Sequence, residues 1–136
     1  MPGGIVLDAS VMVAWLMPDE SSELFEGIGR SQEEVLAPVH WFPEVINSLI
    51  IHHRYGRLKS NDFHNGCRKL ESSFPYITTV PVTDTAAIAA IANPYKLTAY
   101  DAMYLALARQ ERAVLATLDE AMRAAARKLK IKLWPA

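Results

Sequence analysis

Short runs of β-branched and aliphatic residues recur along this chain with helix-length segments between them, and that alternation constrains the fold most. Ile5-Val6-Leu7, Val35-Leu36-Ala37, Ile77 to Val80 and Ala113 to Thr117 read as buried strands, with Ile131-Lys132-Leu133 as a short fifth. A helix from about Ser10 stops at Pro18, and another runs from Glu20 to about Ile28. Trp41 to Tyr55 shows apolar residues at helical spacing, with Pro43 in its first turn and Gly56 as a stop. Ser60, as an N-cap, introduces a helix to Ser72, and Thr83 or Asp84 caps an Ala/Ile helix ending at Asn93-Pro94. Thr98 to Asp101 has the form of a capping box opening a helix through Gln110, and Asp119 opens the last helix. Strands separated by helices run parallel, and a parallel sheet needs cover on both faces. The expected fold is an α/β, three-layer α/β/α sandwich around a mainly parallel sheet of four to five strands.

With 136 residues, 51% hydrophobic and 21% charged, the chain can bury a real core, and one domain over residues 1–136 is expected. Apolar runs such as Val11 to Met17 and Val45 to Ile51 are too short to span a bilayer, and no secretory signal is read at the N-terminus. The single cysteine, Cys67, suits a reducing compartment, so a cytoplasmic location without membrane contact is expected. A formal net charge of −1 argues neither for nor against nucleic acid; without a basic excess, any such contact must come from local patches and bound cations.

The acidic residues are distributed unevenly on this scheme. Asp8 ends the first strand, Asp119 follows the fourth, and Glu44 and Asp101 lie in the first turns of helices. In an open α/β sheet, ligands bind beyond the carboxyl ends of the strands, where helix N-termini also point. Taken singly, each acid has an ordinary explanation, because Asp and Glu satisfy free N–H groups and complement the dipole at helix starts. Their joint placement on one rim is different: several carboxylates together repel unless protonated or neutralised by a cation. An acidic rim without histidine or cysteine favours Mg²⁺ or Mn²⁺ over zinc.

Four fragments, in order, resemble the PIN domain and within it the VapC-like toxin nucleases. They are Ile5-Val6-Leu7-Asp8-Ala9-Ser10-Val11, Pro43-Glu44-Val45-Ile46-Asn47, the stretch from Thr98 to Ala108 with its Tyr-Asp-Ala-x-Tyr core, and Ala116-Thr117-Leu118-Asp119. The resemblance covers the chain nearly end to end. It implies a PIN-like fold and a Mg²⁺- or Mn²⁺-dependent endoribonuclease, with Asp8, Glu44, Asp101 and Asp119 as catalytic and metal-binding acids. Ser10, Asn47 and Thr117 match the polar residues that accompany those acids. A partner antitoxin, an RNA substrate and a homodimer are implied as well. One departure is Lys128-Leu129-Lys130, which stands where many relatives have a glycine turn.

Other signals compete. His52-His53 could supply imidazole acid and base chemistry, although a helix end favouring cations explains it better. Arg54, Arg57 and Lys59, with Arg68 and Lys69 beyond, form the densest basic stretch and are candidate RNA-backbone contacts. The C-terminal Arg123, Arg127, Lys128, Lys130 and Lys132 read more simply as a basic last turn and its following strand. Trp15, Met17, Trp41 and Phe42 are either core or the lining of a groove for a partner helix. His40 and His64 have no evident partner, and Cys67 reads as a small apolar residue. A haloacid-dehalogenase-type phosphatase would also open on a strand ending in Asp, but it needs a second Asp where Ser10 stands. A fold that binds RNA or protein without cleaving is the non-enzymatic alternative.

Overall fold

The computed structural model describes residues 3–20 and 23–135. Four strands, β1 (Ile5–Leu7), β2 (Val35–Pro38), β3 (Ile77–Val80) and β4 (Val114–Ala116), form one sheet in the order β3-β2-β1-β4. Every pairing is parallel, with Ile5 opposite both Val35 and Val114, and Val35 opposite Ile77. Seven helices flank it among the described residues: α1 (Ala9–Leu16), α2 (Glu23–Ser31), α3 (Trp41–Arg54), α4 (Ser60–Ser73), α5 (Thr85–Tyr95), α6 (Ala99–Glu111) and α7 (Glu120–Lys128). α6 packs on β1, β2 and β4 and carries α5 and α7, whereas α1 packs with α2, α3 and α4.

The topology places the functional rim. The chain moves outward from β1 to β2 to β3, then returns to lay β4 on the other side of β1. The order reverses between β1 and β4, and at such a switch point a crevice opens beyond the carboxyl ends of the two strands. Asp8 and Thr117 to Asp119 follow those ends. The central strand is wholly apolar because both its faces are covered; Ile5, Val6 and Leu7 have no exposed surface. Gly4 begins it at φ 91, and a Cβ there would lie 2.9 Å from the Glu34 carbonyl oxygen, so any side chain would disturb the first β1–β2 bond.

Local chemistry sets most boundaries, with a few shifts from the sequence expectation. α1 ends at Leu16 because Met17, just before Pro18, is extended. α2 starts at Glu23 and not Glu20, and continues to Ser31; Ser21 and Ser22 lie outside the described residues. Lys59, not Ser60, occupies the N-cap of α4, and its side chain makes no capping bond. α5 continues through Pro94 to Tyr95; the proline sits in the last turn, where a left-handed Lys96 closes the helix with bonds to the Ala92 and Asn93 carbonyls. The expected fifth strand shrinks to a single parallel bridge between Leu115 and Leu133. That bridge is held by Leu115 N–H to the Lys132 carbonyl and Trp134 N–H to the Leu115 carbonyl, both 2.8 Å.

Candidate active site

Asp8 is the best-defined member of the acidic rim. Its backbone N–H donates to the Ala116 carbonyl at 3.0 Å, so the β1–β4 ladder fixes where the residue stands. It occupies the N-cap position of α1, yet its side chain caps nothing. Two hydroxyls hold the carboxylate instead: Ser10 Oγ and Thr117 Oγ1 donate to Oδ2 at 2.6 and 2.7 Å. Those hydroxyls are oriented in turn, Ser10 Oγ accepting from Leu118 N–H and Thr117 Oγ1 from Asp119 N–H, both 3.0 Å. Among the described residues no donor reaches Asp8 Oδ1, although the residue is only 3% exposed.

The other acids arrive from different elements. Glu44, one turn into α3, accepts a 2.7 Å bond at Oε1 from the buried Tyr104 hydroxyl of α6. Asp101 lies in the first turn of α6, whose N-cap is supplied by Thr98 Oγ1 accepting the Asp101 N–H at 3.1 Å. Asp119 does what the ordinary explanation expects: its Oδ1 accepts the Met122 N–H at 2.9 Å and caps α7. Capping thus accounts for Asp119, whereas Asp8 and Glu44, although at helix starts, are held by side-chain hydroxyls.

All four acids line one cavity of about 450 Å³, with Ser10 at its wall. They also raise one another's proton affinity. Burial first, and then the charges of Glu44 and Asp101, raise the Asp8 pKa to about 6 against the pull of the Ser10 and Thr117 hydroxyls. Glu44 is raised by burial and by Asp101, and Asp101 by burial and by Asp119. Such repulsion is what a bound cation relieves. The donor set is all oxygen, which suits a hard divalent ion. Among the described residues no three Asp, Glu, His or Cys side chains already stand close enough together to hold a metal ion. The acids surround the cavity and do not meet at one point.

Several residues at this site carried no assigned role in the sequence. Tyr104 is one; it lies three positions after Asp101, on the same helical face, and that spacing is the signal. His40 is another, four residues before Glu44. Its Nε2 is 3.1 Å from the Tyr100 carbonyl and 3.8 Å from Glu44 Oε1, and burial lowers its pKa. Glu20 and Ser48 also line the acidic cavity without a signal in the sequence, together with His52 and Arg57, for which the sequence had raised imidazole chemistry and RNA contact. The Arg57 guanidinium lies 3.7 Å from Asp19 and 3.8 Å from Glu20.

The remaining candidates separate. Asn47 is exposed and lines a neighbouring, more apolar groove of about 770 Å³ with Pro43, Ile46, Ile50 and Tyr100, which shares Glu44 and Asp101 with the acidic cavity. His52 Nδ1 bonds its own helix at the Ser48 carbonyl, 2.7 Å, while His53 Nδ1 ties the helix end to the Leu58 carbonyl at 2.8 Å and stacks on Phe63. The two histidines therefore have different surroundings, and only His52 lines the cavity. Of the basic stretch, Arg57 alone lines it; Arg54 and Lys59 are exposed elsewhere, Arg68 bonds Asn65, and Lys69 lies over the Trp15 ring. Trp41 and Met17 belong to the core, and Phe42 packs against Phe74. The exposed large apolar residues include Val39, Tyr55, Tyr76, Tyr100 and Leu118, a different set from the one the sequence suggested.

A three-layer α/β fold is the architecture in which comparison with known proteins places this chain. The PIN domain family model matches residues 5–128, and the chain belongs to the PIN domain family. It is 32% identical over 117 residues to Ribonuclease VapC3 of Pyrobaculum aerophilum, covering 85% of this chain and 88% of that protein. Among solved structures it resembles PAE2754 of Pyrobaculum aerophilum, with TM-score 0.73, 22% identity, and 92% and 87% of the two chains covered. It also resembles FitAcB of Neisseria gonorrhoeae (TM-score 0.65, 20% identity, 95% of each chain). A third is the sarcin-ricin-loop-cleaving toxin VapC20 of Mycobacterium tuberculosis (TM-score 0.61, 15% identity, 89% and 94% covered).

Proposed function

We propose that this protein is a divalent-metal-dependent endoribonuclease that hydrolyses RNA phosphodiester bonds, and that it is the toxin of a toxin–antitoxin pair. The observation that carries the chemistry is the convergence of Asp8, Glu44, Asp101 and Asp119 on one cavity, with both hydroxyl donors to Asp8 placed on Oδ2 and none on Oδ1 among the described residues. Similarity to Ribonuclease VapC3 and to a toxin that cleaves the sarcin-ricin loop supports RNA as the substrate class. Similarity to a toxin–antitoxin complex from Klebsiella pneumoniae supports an antitoxin partner. A homodimer and a cytoplasmic setting complete the proposal, and among the described residues no helix is long and apolar enough to cross a membrane. The core assembled by the elements above acts as a single nuclease domain.

In this proposal Asp8 and Asp101 are the principal ligands of a Mg²⁺ or Mn²⁺ ion, while Glu44 and Asp119 complete the set or orient the attacking water. A divalent ion at such a site supplies Lewis acidity toward the phosphoryl oxygen and makes nearby water more acidic. The chain's own contribution is positioning. Ser10 and Thr117 direct their protons to Asp8 Oδ2, which leaves Oδ1 for the cavity. Tyr104 holds Glu44 at the wall. His52 and Arg57 are the basic side chains lining the cavity and can meet a phosphate oxygen there. Arg54 and Lys59 would contact RNA only outside it.

The test is cleavage of RNA by the parent, Asp8→Asn and Asp101→Asn proteins, with and without chelator. Loss of turnover in both variants and in chelator is expected, with unchanged circular dichroism. Turnover that persists in chelator would defeat the carboxylate mechanism and favour imidazole chemistry at His52.

A further inference from the structure

At the opposite end of α6 and β4 from the acids, four cations line one cavity of about 390 Å³: Arg109, Arg112, Lys130 and Lys132. The rest of its wall is Ala108, Ala113, Val114, Leu129 and Ile131, with no acidic side chain. All four basic residues are exposed, and among the described residues none makes a salt bridge. Glu111, the acid of that helix end, is not part of the wall and accepts a bond from Gln110. From these observations we propose that this cavity is a second RNA-binding site, which holds phosphates of the RNA backbone remote from the bond being cut. The identity of the ligand as RNA rests on the function proposed above; the cationic site itself does not.

Helix dipoles alone do not account for the charge. α6 and α7 each end near this cavity, and each C-terminus carries about half a negative charge, so two of the four cations already exceed what the dipoles attract. Arg112 and Lys130, which follow the ends of α6 and α7, both have left-handed backbones, φ 51 and 60.

An acidic protein partner fits this place less well than RNA. Protein interfaces are anchored by large apolar side chains, and the large exposed ones here, such as Val39, Tyr55, Tyr76 and Tyr100, are not among the cavity residues. Paired guanidinium and ammonium groups suit phosphates. From Asp101 to Arg112 the rise along α6 is about 16 Å, so RNA held here is a segment other than the one at the carboxylates.

The experiment measures affinity in chelator, where cleavage does not interfere. A fluorescein-labelled RNA stem-loop is titrated at several salt concentrations with the parent, with a Lys130→Gly/Lys132→Gln double variant and with Lys96→Gly. Lys96 is a fitting control, because it is also a left-handed lysine at a helix end, φ 54, but lies outside this cavity. The double variant should bind about 10-fold or more weakly, with its log K against log salt slope reduced by about two. Lys96→Gly should leave the slope unchanged. An unaltered slope in the double variant, an equal loss with Lys96→Gly, or no RNA binding by the parent would overturn the proposal. Cleavage measured separately in Mn²⁺ judges the nuclease function, so a reduced slope without any cleavage would keep this site and remove the catalytic one.

Discussion

Helix α6 ends at two rims that carry opposite charge and hold it in opposite ways. At its start, Asp101 joins Asp8, Glu44 and the exposed Asp119 around a cavity where Ser10 and Thr117 hold the buried Asp8 and Tyr104 holds the half-buried Glu44. At its end, Arg109 and Arg112 join Lys130 and Lys132, all exposed and without salt bridges among the described residues. Both arrangements agree in sign with the helix dipole, so the dipole cannot be what distinguishes them. The difference is desolvation. Asp8 and Glu44, with fixed hydroxyl donors, are held to a narrow geometry, and burial opposes their ionisation, an arrangement that suits the metal chemistry proposed above. Exposed cations cost little to keep charged and act over about a Debye length, as backbone attraction requires. A net charge of −1 conceals this polarity.

The contrast can be broken most sharply at the acid rim. Asp101→Asn should lower the rate of RNA cleavage by about three orders of magnitude, measured as kcat/KM, while RNA affinity in chelator stays near parental. If affinity fell with rate, the acids would be part of RNA binding and the division between the rims would fail.

A second effect concerns stability. The Asp8 carboxyl, raised to about 6 in the folded protein from 3.8, binds its proton more tightly folded than unfolded. Its contribution to metal-free stability is therefore full below about pH 4 and is lost as the pH rises through about 6, a change of about 3 kcal/mol. Asp8→Asn should raise the melting temperature in chelator at pH 7.5 and flatten that pH dependence. A melting temperature lower than the parent's at pH 7.5 would show that the ionised carboxylate is not strained.

Tyr104→Phe comes next. Removing the hydroxyl that holds Glu44 should lower Mn²⁺ affinity, read by titration calorimetry, and kcat by about 10- to 100-fold, with little change in KM. Unchanged metal affinity would assign Tyr104 to the core alone. The smallest expected change is the stability loss in Asp119→Ala, about 1 kcal/mol from the missing α7 cap, read by denaturant unfolding. A larger loss would mean that Asp119 does more for the fold than close a helix.

The fold was largely legible from the chain because the strands are short, apolar and bounded by strong stop signals such as Pro18 and Gly56. Errors arose where local chemistry was outweighed. Ser60 reads as a cap, yet Lys59 takes that position, and α5 passes through Pro94 because only its last turn is affected. The fifth strand faded because one bridge to Leu115 satisfies the tail.

Periodicity and caps alone determined that this chain makes a parallel α/β sheet with acids at strand ends and helix starts, because those signals act over a few residues. Tertiary structure decided which acids cap and which do not, that Tyr104 reaches Glu44 across 60 positions, and that Asn47 faces the neighbouring groove. It also drew Arg109 and Arg112 together with Lys130 and Lys132, from segments that local patterns treat separately. Contacts between distant segments depend on how helices and strands stack in three dimensions, and no window along the chain contains that information.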